Sequence, residues 1–211
     1  MKEYWKTLSH SGVNFPDLYE PSGLALYVRG KQVELSPLAE EMAYAFAKKK
    51  DTPYVQDPVF RTNFVKDFEK ELPAWCRGAK FEDFDFHEFY RKVDAEKAEK
   101  ERMSKGQKKA LAAARKERRE SLKAKFGKAV LDGKEVDIAN WLVEPPGLFM
   151  GRGQHPFRGK WKPRITASDV ILNLGKEAPR PPGSWKEVVH DQNSMWMAKW
   201  IDKLTDKEKY V

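Results

Sequence analysis

A chain of 211 residues with 40% hydrophobic and 12% aromatic residues can bury one or two sizeable cores, which excludes a disordered or fibrous polypeptide. Its net charge of +8 and pI near 9.3 favour an anionic partner, nucleic acid first and an acidic membrane surface second. One cysteine, Cys76, leaves no internal disulfide framework and points to a reducing compartment; no apolar run approaches a membrane span, and Met1-Lys2-Glu3-Tyr4-Trp5 does not read as a signal or transit peptide.

The first elements are short. Trp5, Phe15 and Tyr19, separated by turn residues, predict one strand or extended segment before a turn at Pro21. Leu24–Val28 and Val33–Leu35 flank Arg29-Gly30-Lys31 as a small hairpin. Ser36-Pro37 predicts a helix start, with Ser as N-cap and Pro in the first turn; Leu38, Met42, Ala45 and Phe46 share a face, and Lys48-Lys49-Lys50 and Pro53 mark the end. Asp57-Pro58 opens a second helix of the same design, with Phe60, Phe64 and Phe68 at i, i+4, i+8 and Pro73 as its limit. Residues 21–83 thus read as a small helical module.

Phe81, Phe84, Phe86 and Phe89 anchor a third helix beginning near Asp85, which turns mostly charged from Arg91 to Met103. Ser104 interrupts it, and a fourth helix runs from about Lys105 to Phe126, ending at Gly127 as a C-cap. Residues 105–128 hold ten Lys or Arg against two Glu, a local +8, so the rest of the chain is neutral overall. Such helices lack an apolar stripe wide enough for deep burial; they are solvated faces or lie against something charged.

Beyond residue 127 the pattern alternates. Ala129–Leu131, Asp132-Gly133 and Val136–Leu142 predict a hairpin with a type I′ turn; Val170–Leu174 reads as a buried strand; Pro179, Pro181, Pro182 and Gly183 form a stiff turn. Trp185–His190 and Met195–Trp200 predict two strands paired around Asp191-Gln192-Asn193, with Trp196, Ala198 and Trp200 on one face. The chain stops at Lys209-Tyr210-Val211 without a cap or polar tail, the expectation being a piece of a larger protein.

Between these strands Glu144-Pro145-Pro146-Gly147-Leu148-Phe149-Met150-Gly151-Arg152-Gly153-Gln154-His155-Pro156 breaks every regular period. Its prolines remove donors and its glycines permit φ > 0, so it predicts a shaped loop presenting Arg152. Arg152, Arg158, Lys160, Lys162 and Arg164 follow with no acid among residues 151–164, a second basic feature suited to a polyanion; a surface loop with solvated charges is the alternative.

Enzymatic signatures are missing. Gly151-Arg152-Gly153-Gln154-His155-Pro156 has proline where a dinucleotide loop needs its third glycine. His10, His87, His155 and His190 lack metal-ligand spacing with one another and with Cys76, there is no Walker motif, and no nucleophile elbow marks a catalytic set. His155 before Pro156 reads as a turn cap rather than an oxyanion donor, and Cys76 beside Trp75 and Arg77 as half-buried and inert rather than activated. Residue chemistry describes a binding module with no catalytic residue, metal or cofactor.

Ile138-Ala139-Asn140-Trp141 followed by Glu144 through Pro156 resembles the signature of eukaryotic type IB DNA topoisomerases. The flanks agree in order: Leu35-Ser36-Pro37 with Ala39-Glu40-Glu41, Phe60-Arg61-x-Asn63-Phe64-x-Lys66-Asp67, Pro181-Pro182-Gly183 with Trp185-Lys186-Glu187-Val188, His190-Asp191, and Lys209-Tyr210. The resemblance spans nearly the whole chain. It implies an α+β cap lobe that clamps duplex DNA, with residues 1–20 and 104–211 forming a β-rich subdomain, residues 21–103 an inserted helical subdomain, and residues 85–126 a projecting pair of charged helices. It implies DNA contacts by Lys100, Arg152, Trp196, Lys209 and Tyr210, Lys100 standing where the family commonly has arginine. Asn140, Glu144 and Arg152 match residues lining the pocket where camptothecin-type drugs stack at the nick. Met150 and Pro163 depart from basic residues of the family pattern. The family's catalytic arginines, lysine, histidine and tyrosine lie downstream, so none maps here. The implied partners are duplex DNA and the catalytic remainder, on the same chain or a separate subunit, without a membrane. The implied setting is the nucleus, and the competing class is an RNA- or chromatin-binding module using the basic helix.

Overall fold

The computed structural model describes residues 2–211. In chain order it contains β1 (Leu8–His10), β2 (Leu26–Val28), β3 (Lys31–Val33), α1 (Pro37–Ala47), α2 (Pro58–Phe68), β4 (Phe84–Asp85), α3 (His87–Arg102), α4 (Lys105–Phe126), β5 (Lys128–Leu131), β6 (Lys134–Asp137), β7 (Gly147–Leu148), β8 (Trp161–Lys162), β9 (Ile171–Asn173), β10 (Glu187–Val189), β11 (Ala198–Ile201) and β12 (Glu208–Tyr210). The class is α+β, and the chain divides into two compact units. One comprises the segment through Pro16 with Ser104–Pro145 and Arg164–Val211; the other comprises Asp17–Met103 with Pro146–Pro163. Residues 146–163, grouped with 104–211 in the sequence reading, are therefore compact with the helical part.

In the helical unit both sequence-level caps act as expected. Ser36 Oγ accepts the Ala39 amide at 3.1 Å, and Asp57 Oδ1 accepts the Val59 amide at 2.8 Å, each ahead of a proline in the first turn. The buried faces of α1 and α2 meet through Phe46, Phe60, Phe64 and Phe68, all fully buried, with Phe46 stacked on Phe64 at 4.4 Å. Phe84, Phe86 and Phe89 extend this core. Order β3-β2-β4 covers one side, its hairpin turning through Arg29 (φ +51°) and Gly30 (φ +76°), the two positive angles a type I′ turn needs. Cys76 is fully buried rather than half-buried, and desolvation pushes its thiol pKa up, which keeps it protonated and inert. Glu40 is 3% exposed and accepts from the Tyr19 hydroxyl (2.8 Å) and the Ser22 (2.6 Å) and Gly23 (3.1 Å) amides, fixing the entering chain to α1.

In the β-rich unit, β1-β5-β6 is antiparallel. The β5–β6 turn uses Asp132 (φ +48°) and Gly133 (φ +77°), and Asp132 Oδ1 also accepts the Lys6 and Thr7 amides at 2.7 and 2.8 Å, which ties the N-terminal strand to the hairpin. The ladder ends at Asp137, shorter than the Val136–Leu142 strand expected. The second sheet has order β10-β9-β11-β12. This corrects the pairing expected of 185–190 with 195–200: β9 lies between them, parallel to β10 and antiparallel to β11. The reason is chemical. β9 is apolar enough to sit in the middle of the sheet, and its buried Asn173 grips the connecting loop, donating from Nδ2 to Asp191 O (2.9 Å) and Trp196 O (3.1 Å) and accepting the Asp191 amide at 2.9 Å. Trp196 precedes β11 and is half-exposed, whereas Ala198 and Trp200 are buried.

α4 begins at a reciprocal Ser104–Gln107 capping box and has no buried residue. Only Leu122 and Phe126, partly buried, pack on the Trp5, Leu8, Ala129, Ile138 and Trp141 cluster, Phe126 stacking on Trp141 at 6.4 Å. Gly127 ends the helix at φ −84°, not in the left-handed region; glycine is required because a Cβ would stand 2.7 Å from Lys123 O and 3.1 Å from Trp141 Nε1.

Candidate nucleic-acid interface

The Arg152 loop is more ordered than its composition suggests. Its two ends form a ladder, β7 against β8, extended by Phe149 N–H to Lys160 O and Gly159 N–H to Phe149 O, both 2.8 Å. α2 then holds the returning limb along its length. Asn63 Nδ2 donates to Pro156 O and Arg158 O, both at 2.8 Å; Asp67 Oδ2 accepts the Trp161 amide at 2.9 Å; Asp57 accepts from the Arg158 guanidinium at its Nε and, at 3.2 Å, its Nη2. Hydrogen bonding by Arg158 draws the Asp57 carboxyl below its usual range. Gly159 (φ +86°) passes so close to α2 that a Cβ would meet the Phe60 carbonyl oxygen, with Phe60 Cα at 2.7 Å. The i, i+4 polar pair Asn63 and Asp67 is legible as a motif, but its clamping role depends on a loop about ninety residues later in the chain.

Inside the loop His155 is a turn cap, as expected: its Nδ1 accepts the Phe157 amide at 3.0 Å, and Phe149 meets its ring edge-on at 4.8 Å. Gly151 (φ +68°) packs so tightly here that a Cβ would collide with His155 Cβ and lie 2.9 Å from Cγ, while Gly153 (φ +60°) has open space. Arg152, between them, is exposed.

The run of five cations is therefore not one uniform patch. Arg158 is committed to Asp57, Arg164 donates to Pro16 O at 3.1 Å, and Lys160 lies over the Phe157 ring at 4.3 Å. Arg152 alone of the five is exposed, at the tip. Composition could not distinguish a cation that builds the loop from the one the loop displays.

The other expected contact residues are distributed over the two units. Lys100 is exposed in the last turn of α3, in the helical unit with Arg152. In the β-rich unit, Lys209 and Tyr210 lie on β12, where Tyr210 is 61% exposed. Lys209 Nζ stands 3.9 Å from Glu144 Oε1, which brings together one expected DNA contact and one expected pocket residue. Trp196 carries Lys199 Nζ over its ring at 4.8 Å, an aromatic face with an adjacent cation. Asn140 is exposed on the segment leading to Glu144. Among the described residues no group of three or more His, Cys, Asp or Glu is arranged to hold a metal ion, and no helix is long and apolar enough to cross a membrane.

A family model described as eukaryotic DNA topoisomerase I, DNA binding fragment, matches residues 3–211. The chain is similar to DNA topoisomerase 1 of Candidozyma auris (41% identity, 99% of this chain and 29% of the relative). It is also similar to DNA topoisomerase 1 beta of Arabidopsis thaliana (43%, 98% and 23%) and to DNA topoisomerase 1 of Homo sapiens (37%, 98% and 28%). The chain thus spans about a quarter of the length of these curated relatives.

Proposed function

We propose, for a chain that belongs to the eukaryotic DNA topoisomerase I family through its DNA-binding fragment, that it is the cap lobe of a type IB topoisomerase: it clamps duplex DNA while a catalytic remainder, bearing the tyrosine nucleophile, nicks one strand and relaxes supercoils. The two compact units are its subdomains, and its site of action is the nucleus. One observation carries this reading most: Arg152 is exposed, with no ion-pair partner among the described residues, on a loop clamped by α2 and by its own glycines and histidine. A preorganised cation on a rigid turn binds a groove with little loss of conformational freedom.

The division of labour follows from the charges. α4 supplies sequence-independent attraction through exposed Lys and Arg, releasing counterions from phosphates. Arg152 supplies the groove contact beside the reacting step, and Lys209, Tyr210, Trp196 and Lys100 touch backbone and bases from their own elements. Asn140, Glu144 and Arg152 are, by the family resemblance, the positions that meet planar camptothecin-type inhibitors. The chain takes no part in covalent chemistry.

The test is a comparison of duplex, single-stranded and structured RNA ligands across a salt series, run beside a supercoil-relaxation assay with and without a topoisomerase I catalytic remainder. The expected result is preference for duplex, steep salt dependence, and relaxation only in the joined protein. Preference for RNA supports the basic-helix module instead, and relaxation by the chain alone refutes a non-catalytic lobe.

A further inference from the structure

α4 carries a serine that duplex attraction does not employ. Ser121 follows Arg118 and Arg119 at the third and second positions after them, and Leu122 comes next. No other serine of the chain has arginine at both of those preceding positions. Ser121 is exposed, as is every residue from Ser104 to it. The helix has no buried residue, and only Leu122 and Phe126 in its last turns rest on a core cluster. Nothing of residues 118–121 is buried, so this turn can open locally and adopt an extended form at the cost of no core contact beyond the partly buried Leu122 that follows it.

We propose that Ser121 is a phosphorylation site for an arginine-directed serine kinase, and that a phosphate there weakens the attraction of α4 for duplex DNA; the second half rests on the function proposed above. The two guanidiniums are the features that carboxylates in such a kinase's peptide groove recognise, and the apolar residue after the acceptor completes the pattern. The Ser121 oxygen attacks the γ-phosphorus of Mg-bound ATP and forms the new O–P bond. The bond to the β–γ bridging oxygen breaks with its electron pair leaving on ADP, and the hydroxyl proton passes to the kinase's catalytic carboxylate. The product adds a charge of about −1.5 to −2, which takes residues 105–128 from +8 to about +6. On the re-formed helix the phosphate faces Arg118 at i−3 and Lys125 at i+4, with Glu117 at i−4 opposing it, and so offsets positive charge on that face of the helix.

The experiment incubates the whole chain with MgATP and a purified arginine-directed serine kinase, maps the product by mass spectrometry, and measures duplex affinity against salt before and after. One phosphate on the peptide containing Ser121 is expected, lost in Ser121→Ala and reduced in Arg118→Ala with Arg119→Ala. The modified chain should bind duplex with a log–log salt slope shallower by about 1–2 units, while helical content changes little. No incorporation at Ser121, or equal incorporation in Ser121→Ala, overturns the site. Incorporation with unchanged affinity and slope, in a chain whose unmodified form binds duplex, overturns the switch. An unmodified chain that does not bind duplex overturns both the switch and the clamping function, yet leaves a modified Ser121 standing as a site.

Discussion

Substituting the two glycines that flank Arg152 separates the shape of the loop from its charge. Both hold left-handed φ values, +68° at Gly151 and +60° at Gly153, so alanine at either costs about 1–2 kcal/mol of backbone strain. At Gly153 nothing lies within 4 Å of the added carbon, and strain is the whole effect. At Gly151 the added carbon collides with His155, whose Cγ would be 2.9 Å away. His155 must move, which sacrifices the Phe157 amide bond to its Nδ1 and the Phe149 edge contact, each worth about 0.5–1.5 kcal/mol. Gly151→Ala should therefore be less stable than Gly153→Ala by roughly 1–3 kcal/mol, or about 2–12 °C in melting temperature for a chain of this size. Calorimetry on both variants measures the difference. Duplex binding should follow it, with Gly151→Ala approaching the affinity of Arg152→Ala although the arginine is present. Equal effects of the two alanines on stability and affinity would mean that His155 does not brace the loop, and the argument for a preorganised Arg152 would fail.

Asn63→Ala should weaken duplex binding without touching DNA, because Pro156 O and Arg158 O lose their donor; the expected stability loss is about 1–3 kcal/mol, read by thermal denaturation, with binding as the second readout. Glu40→Ala leaves two amides and the Tyr19 hydroxyl without their acceptor and should cost roughly 3 kcal/mol, whereas Tyr19→Phe, losing one of the three bonds, should cost about 1 kcal/mol in the same denaturant titration. His10 supplies a pH dependence. Its Nε2 bonds to Asn173 O at 2.8 Å, its Nδ1 accepts the Gly12 amide at 3.0 Å, and burial lowers its pKa from 6.5. The folded state thus binds the proton less readily than the unfolded chain. Its contribution is complete above about pH 6.5 and is lost as pH falls from there through the lowered folded value. A stability–pH profile should flatten in that window for His10→Gln, and an unchanged slope would contradict the assignment.

Local chemistry was the legible part of this fold. Ser36-Pro37 and Asp57-Pro58 declare their helices because a cap and a fixed φ act within one turn, and Asp132-Gly133 declares its hairpin because both positions must turn left-handed. The order of the second sheet was not legible. Two strands separated by a short polar segment read as a hairpin, and only the buried Asn173, bonded to the backbone at 191 and 196, shows why β9 intervenes. The same limit applies to the loop. Five cations read as a patch, yet the partner of Arg158 is Asp57, which lies 101 residues earlier, and no local pattern pairs them. Gly127 caps α4 as expected, but the tight space beside Lys123 and Trp141 that makes glycine necessary there is not written in the local sequence.

The two basic features should part company when salt is varied. α4 extends for 22 residues, about 33 Å, and at physiological ionic strength charges are screened beyond about 8 Å. Its cations therefore cannot act as one field; each matters through the phosphate it reaches. Changing Lys108, Lys109 and Lys116 to glutamine should lower the slope of log affinity against log salt by up to about 3 units, with the loss of affinity largest at low salt and vanishing at high salt. Arg152 is a single charge, so Arg152→Ala lowers the slope by no more than about 1 unit. On the proposed function, what it removes is a positioned groove contact, worth roughly 1–3 kcal/mol in the assembled enzyme and less in the chain alone. That loss persists at high salt, because hydrogen bonding and shape rather than counterion release produce it. Titrations of the triple lysine variant and of Arg152→Ala at several salt concentrations should give lines of different slope that cross. If Arg152→Ala instead behaves as one more lysine, with a loss that disappears at high salt, then the loop merely contributes charge, and the glycines, His155 and Asn63 that hold it serve stability rather than recognition.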